Sequence, residues 1–330
     1  MVSNAAYRAA RTGVASIDRS GRGRVLVSGT DRASYLQGLL TNDIAALRAG
    51  MGCYAAYLTP QGRMISDMYL YELGDAMLVA LPRHVKDAVL AKLDRFIFTE
   101  DASVRDVTDT LASVAVVGPA ASEAMNAVFG NAAGNQMRAL NEHGNARTDF
   151  EGTLAIVTRV TDTGVPGFEI YVEQVKSASL QARLDAAGMV PVDADTADAL
   201  RIEAGVPVFG RDMDEETIPL EAGIEGRAIS FTKGCYVGQE VIVRVLHRGH
   251  GRIARKLVGL TIDGEGVPPP GAVVTAGDRE AGHVTSSTLS PSLAKPIALA
   301  YLQRDFLAPG TFVAIDGARA VVTELPFVHE

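Results

Sequence analysis

Apolar positions along the chain change period several times, and the changes mark elements. Residues 24–29 alternate into a glycine and predict a strand. Asp31 then opens a stretch in which Tyr35, Leu36, Leu39 and Leu40 recur at helical spacing, with Asp31 as N-cap. Residues 53–58 and 63–71 read as strands joined by the turn Thr59-Pro-Gln-Gly62, and 76–81 as a third. Pro82 opens a predicted helix to about Phe96, carrying Val85, Val89, Leu90 and Leu93 on one face. A buried strand at 111–117 breaks at Gly118-Pro119, and a helix follows to about Phe129. Strands at 153–160 and 168–173 flank the turn Asp162–Gly167, with helices near 174–187 and 194–205. Strands and helices in this irregular order predict an α+β fold rather than a doubly wound sheet.

Beyond about residue 250 the helical period is gone. Short runs at 254–262, 272–276, 280–285, 297–301, 311–315 and 319–325 are punctuated by Gly and Pro, which predicts a small all-β barrel or sandwich. The domains expected are therefore 1–249 and 250–330, the first divided into about 1–48 with 112–249, and 49–111.

The 330 residues exceed what one core usually supports, about 250–300. The net charge of −8 disfavours unspecific binding to nucleic acid. Two distant cysteines, Cys53 and Cys235, make neither a disulfide framework nor a zinc knuckle, and fit a reducing compartment. No apolar run approaches the length that spans a bilayer, and no apolar leader segment opens the chain, so a cytoplasmic protein is expected. There is no phosphate-binding G-x-x-x-x-G-K-[ST] loop, no dinucleotide G-x-G-x-x-G and no nucleophile elbow. The densest basic stretch, Arg244, His247, Arg248, His250, Arg252, Arg255 and Lys256, has no interleaved aromatics, so direct RNA binding is not expected and a solvated hinge is. His247, His250 and Cys235 fit no compact metal module, and no metal is expected.

The remaining chemistry lies in Lys233-Gly-Cys-Tyr-Val-Gly-Gln-Glu240. A thiol flanked by Gly234 and Gly238, with Lys233 two residues before it, suits an activated thiolate, although a lone cysteine is more often a small buried hydrophobe. Gln239 and Glu240 can fix a turn or bind a polar ligand. This octapeptide resembles the hallmark of the folate-binding YgfZ family. Tyr35–Ile44 followed by Tyr54–Tyr71 is similar both to that family and to its relative, the T-protein of the glycine cleavage system, and 282–302 resembles the barrel that ends the same superfamily. Residues 209–220 resemble the T-protein more closely.

The resemblance implies three subdomains around a central funnel that holds tetrahydrofolate or a derivative. It implies Glu169 as the carboxylate gripping the pterin, Arg201 as a lining arginine and Asp67 at or beside the catalytic acid. T-proteins carry two adjacent acids there, whereas this chain has Ser66-Asp67. Successive strand residues point to opposite faces, so which of the two faces the ligand decides whether the essential acid is present. Tyr54 and Tyr57 are candidate stacking partners. Lys233, Tyr236, Gln239 and Glu240 are candidate ligand contacts, and Cys235 a thiol nucleophile, redox partner or transient contact. The octapeptide favours a YgfZ-type protein supporting iron–sulfur cluster assembly or repair and, through it, tRNA modification, with cluster proteins as partners. The alternative is a tetrahydrofolate-dependent aminomethyltransferase or demethylase.

Overall fold

The computed structural model describes residues 2–247 and 253–328. Two sheets and a barrel make up the molecule. The first sheet has six strands in the order Val190–Val192, Ala15–Asp18, Leu111–Val117, Gly167–Glu173, Thr153–Val160 and Asn145–Phe150. The second has five, in the order Gly52–Leu58, Met64–Glu72, Ala76–Pro82, Arg22–Ser28 and Ser103–Asp106. The chain crosses between sheets within three residues, from Asp18 to Arg22, so two arginines, Arg19 and Arg22, stand at the crossing.

Each sheet keeps one face for a helical layer. Tyr35, Leu36 and Leu39 of the helix Arg32–Leu39 pack with Val25, Val79 and Leu81 on the second sheet. Met125 and Val128 of Ala121–Phe129, with Leu180 and Leu184 of Ser177–Ala186, cover Phe168 and Ile170 on the first. The opposite faces meet: Tyr71, Leu78 and Ala80 of one sheet pack against Ile156 and Tyr171 of the other. Burying a side chain of that size contributes roughly 1.5–3 kcal/mol, so this shared layer fixes the two sheets against each other. The barrel closes in the order Arg255–Ile262, Lys295–Gln303, Arg279–Ser290, Val273–Ala276, Phe312–Ile315 and Ala318–Thr323. It joins the lobes through the helix Ala194–Glu203. Glu203, fully buried, accepts from Tyr7 Oη (2.5 Å), Arg11 Nη2 (2.6 Å) and Ser290 Oγ (2.5 Å).

Several expectations need correction. Arg22–Ser28 and the helix after it belong to the second sheet, so the subdomain limit at residue 48 moves to about residue 20. The cause is backbone pairing with Ala76–Pro82, which a local pattern does not register. The helix expected from Pro82 to Phe96 is a short 3-10 turn, Arg83–Val85, followed by Lys86–Asp94. Asp31 occupies the N-cap position, but its carboxylate accepts from the backbone N–H of Asp101 instead of capping. The boundary expected between 249 and 250 falls outside the described residues, as do Arg248, His250 and Arg252 of the basic stretch. No helix among the described residues is long and apolar enough to cross a membrane.

Candidate functional site

A cavity of about 700 Å³ opens where the two sheets, the helix Ala194–Glu203 and the loop 206–211 converge. Strand alternation sets its chemistry. In Met64–Glu72, Asp67 and Tyr69 face the cavity side, while Ser66 and Leu70 turn into the interior and Met68, which borders the cavity, packs in the core with Leu36 and Tyr57. Ser66 is fully buried and donates to the Asp67 carbonyl at 2.7 Å. The acid this chain retains is therefore the one that faces the cavity.

Asp67 is partly buried in the cavity wall. Burial raises its pKa from the ordinary value, against the hydrogen bond from Tyr54 and the charges of Arg22 and Arg227, which act to lower it. Tyr54 Oη donates to Asp67 Oδ2 at 2.8 Å, its ring centre lies 5.0 Å from that of Tyr69, and the Arg227 guanidinium lies over the Tyr54 ring, 5.0 Å from its centre. A carboxyl group whose proton is held more tightly than usual, beside a phenol, suits proton transfer.

The cavity floor is a chain of charges. Arg19 Nη2 donates to Asp162 Oδ1 at 2.8 Å, Arg22 Nη2 bonds Asp162 Oδ2, and Arg22 Nη1 reaches Glu169 Oε2 at 3.1 Å. The guanidinium of Arg22 also lies 5.2 Å from the Tyr69 ring centre. Burial opposes the charge on Asp162, but the two arginines win and hold its pKa down to about 2. Behind Arg22 and outside the cavity lining, fully buried Glu169 stands beside the Tyr171 hydroxyl, and the Tyr71 hydroxyl beside that of Thr158, without close hydrogen bonds among them. Buried polar atoms are seldom left so, and this group forms one patch where the inner faces of the sheets meet. At the solvent side the rim carries Arg83, His84 and Arg211.

Arg201 also lines the wall, but its guanidinium is largely committed. Nε donates to Asp198 (2.6 Å), Nη1 to Asp212 (2.6 Å) and Nη2 to Ser286 of the barrel (2.7 Å). It locks helix, loop and barrel together. Tyr57 is buried in the core on the far side of its strand, with Leu36 and Met68, and does not reach the cavity.

The octapeptide lies elsewhere. Lys233 does not face Cys235 as an activating charge. Its Nζ donates to the carbonyls of Gln37 (2.6 Å), Leu40 (2.7 Å) and Asn42 (2.8 Å), closing the C-terminal end of the helix Arg32–Leu39. Tyr236 is buried with Leu58 and Met64. Gly238 adopts φ +84°, and a side chain there would strike the Thr59 carbonyl at 2.6 Å. Gln239 and Glu240 begin the helix Gln239–His247, Glu240 being exposed, and neither lines the cavity. Cys235 is exposed, whereas burial raises the Cys53 thiol to about 12. The motif thus braces the hairpin whose second strand bears Asp67.

Arg19, Arg22, Tyr69 and Asp162 were not singled out by sequence. The available signals were Arg22 between Gly21 and Gly23, and Asp162 opening a turn seven residues before Glu169.

Two lobes around a polar cavity, closed by a six-stranded barrel, define a class of fold that the comparisons identify. Residues 2–233 match the GCVT N-terminal domain and residues 255–329 the glycine cleavage T-protein C-terminal barrel domain. The chain belongs to the glycine cleavage T-protein family. An aminomethyltransferase of Rubrobacter xylanophilus is 34% identical over 98% of this chain and 85% of that protein. One from Bacillus subtilis is 31% identical over 97% and 89%. A crystal structure of the glycine cleavage system aminomethyltransferase T from Bartonella henselae superposes with a TM-score of 0.88, at 23% identity, over 98% of this chain and 89% of that one. The likeness spans the fold and the barrel. It favours the alternative reading over the YgfZ-type one that the octapeptide suggested.

Proposed function

We propose that the protein is a tetrahydrofolate-dependent aminomethyltransferase, moving a one-carbon unit from an amine-bearing donor to the folate. The observation that carries this is Asp67, the acid of the Ser66-Asp67 pair that faces the cavity, oriented by Tyr54 and kept basic by burial. The relatives' names support the reaction class. The volume suits a ligand of folate size, since such sites run about 300–1,000 Å³.

Asp67 and Tyr69 offer the pterin an acceptor and a ring on the cavity wall. Glu169, which the resemblance assigns to it, is fully buried behind Arg22 with Tyr71, Tyr171 and Thr158, does not line the cavity, and anchors the floor through Arg22. Folate supplies the ring nitrogen that accepts the one-carbon unit. Asp67 holds and moves a proton at that ring edge, Tyr54 aims it, and the charged floor keeps the site rigid. The basic rim of Arg83 and Arg211 suits the carboxylates of a folate tail. Arg201 shapes the wall and ties it to the barrel.

Calorimetric titration with tetrahydrofolate tests the shared premise, and absence of binding at millimolar ligand overturns it. A one-carbon transfer assay lost in Asp67→Ala but kept in Cys235→Ser supports the transferase. The YgfZ-type reading, with a role in iron–sulfur cluster assembly, draws on one observation: Cys235 is exposed and open to a partner. Rescue of a YgfZ-deficient strain by the wild type but not by Cys235→Ser would favour it instead.

A further inference from the structure

A second cavity, of about 180 Å³, lies between the loop 208–217 and the barrel. Arg211 borders both cavities, while Asp67, Tyr69 and Asp162 border only the larger. Its wall carries Tyr301, 3% exposed, whose hydroxyl stands beside Thr217 but makes no hydrogen bond of close geometry among the described residues. Over the Tyr301 ring, 4.7 Å from its centre, sits the Arg255 guanidinium. Arg255 gives Nε to Glu221 at 3.1 Å, and its terminal nitrogens donate to no acceptor among the described residues. His283 approaches the same ring from 6.0 Å. A buried phenol left without a close hydrogen bond beside a half-used guanidinium is a costly arrangement for an empty interface.

The acceptors of the wall are largely engaged, the outer oxygen of exposed Asp214 aside. Asp212 Oδ1 accepts from Thr285 Oγ1 (2.6 Å), and Oδ2 from Arg201 (2.6 Å) and the Val208 N–H (3.1 Å). Asp214 Oδ1 accepts from the Glu216 N–H (3.0 Å) and Thr217 Oγ1 (2.7 Å). What the cavity offers is donors: Tyr301 Oη, Arg255 Nη and Arg211. We propose that this cleft is a second ligand site, and that it takes a small monoanionic carboxylate. A carboxylate satisfies a phenol and a guanidinium fork together. A dianion would be repelled by Asp212 and Asp214 nearby. The volume, about six times a water's share of some 30 Å³, admits a ligand of a few heavy atoms.

Calorimetry on the full-length protein with acetate, glycine and inorganic phosphate tests this. A saturable isotherm is expected for acetate or glycine, weakened about tenfold in Tyr301→Phe and in Arg255→Gln. Asp67→Asn should leave it unchanged. Tyr301→Phe removes only a hydroxyl without a close hydrogen bond, so its melting temperature should not fall, which keeps the comparison clean. No saturation with either carboxylate, equal binding by Tyr301→Phe, loss in Asp67→Asn, or tighter binding of phosphate would each overturn the proposal.

Discussion

Tyr54 Oη donates a 2.8 Å hydrogen bond to Asp67 Oδ2 across neighbouring strands. The bond favours the carboxylate against the burial that raises its pKa. Removing it in Tyr54→Phe raises that pKa further. If Asp67 acts as a base, the acidic limb of the kcat/KM profile moves to higher pH, with activity recovering as pH rises. A profile that keeps its midpoint while falling uniformly would make Tyr54 a packing residue only.

Asp67 carries an opposite consequence for stability. Its folded pKa lies above its unfolded value, so the native state binds the proton more tightly and stability falls as pH rises through that window. Asp67→Asn removes the ionisation. It should abolish one-carbon transfer and yet melt higher than wild type at neutral pH, the difference vanishing below about pH 4, where the carboxyl is neutral in both states. Thermal melts of both proteins across this range check the sign.

The floor behaves in the reverse sense. Asp162 is held down to about 2 by Arg19 and Arg22, so its stabilisation is complete above its ordinary value of 3.8 and is lost as pH falls toward 2. Asp162→Ala leaves two partly buried guanidinium groups without their shared partner, and because Arg22 keeps Glu169 the loss is that of charge-assisted hydrogen bonds, about 1.5–3 kcal/mol. Urea unfolding should show a loss of that order at neutral pH and a smaller one near pH 2.

These residues also mark the limit of what the sequence shows. The barrel strands were legible because Gly and Pro cut a β-rich tract into short runs; of the residues the resemblance points to, Asp67 and Arg201 line the cavity and Glu169 lies buried behind it. Arg22 was not, because its partners Asp162 and Glu169 lie 140 and 147 residues away and are reached only when the two sheets stack. The short strands Ala15–Asp18 and Asn145–Phe150 escaped for the same reason, since pairing rather than pattern defines them. The octapeptide was read as chemistry, but its lysine and second glycine are fixed by contacts with the helix Arg32–Leu39 and the turn at Thr59.

The rim yields a test of ligand charge. Arg83 and Arg211 are each about half exposed there, the first paired with exposed Asp109 and the second with Asp198, which Arg201 also holds. Such surface pairs contribute little to folding. The double variant Arg83→Glu, Arg211→Glu should fold normally and raise the KM for tetrahydrofolate roughly tenfold, by replacing attraction with repulsion. The effect should shrink in high salt and leave kcat nearly unchanged.

The two thiols supply the last test, because they differ in access. Cys235 is exposed and Cys53 is buried, with its thiol raised to about 12. A disulfide-exchange reagent at neutral pH should therefore titrate Cys235 quickly and reach Cys53 only on unfolding. If the braced hairpin, rather than the thiol, is what the octapeptide contributes, then Cys235→Ser keeps one-carbon transfer. Lys233→Met should instead lower stability, since three carbonyls at the end of Arg32–Leu39 lose their donor. Transfer activity lost in Cys235→Ser at unchanged melting temperature would return the thiol to the reaction and remove the bracing account.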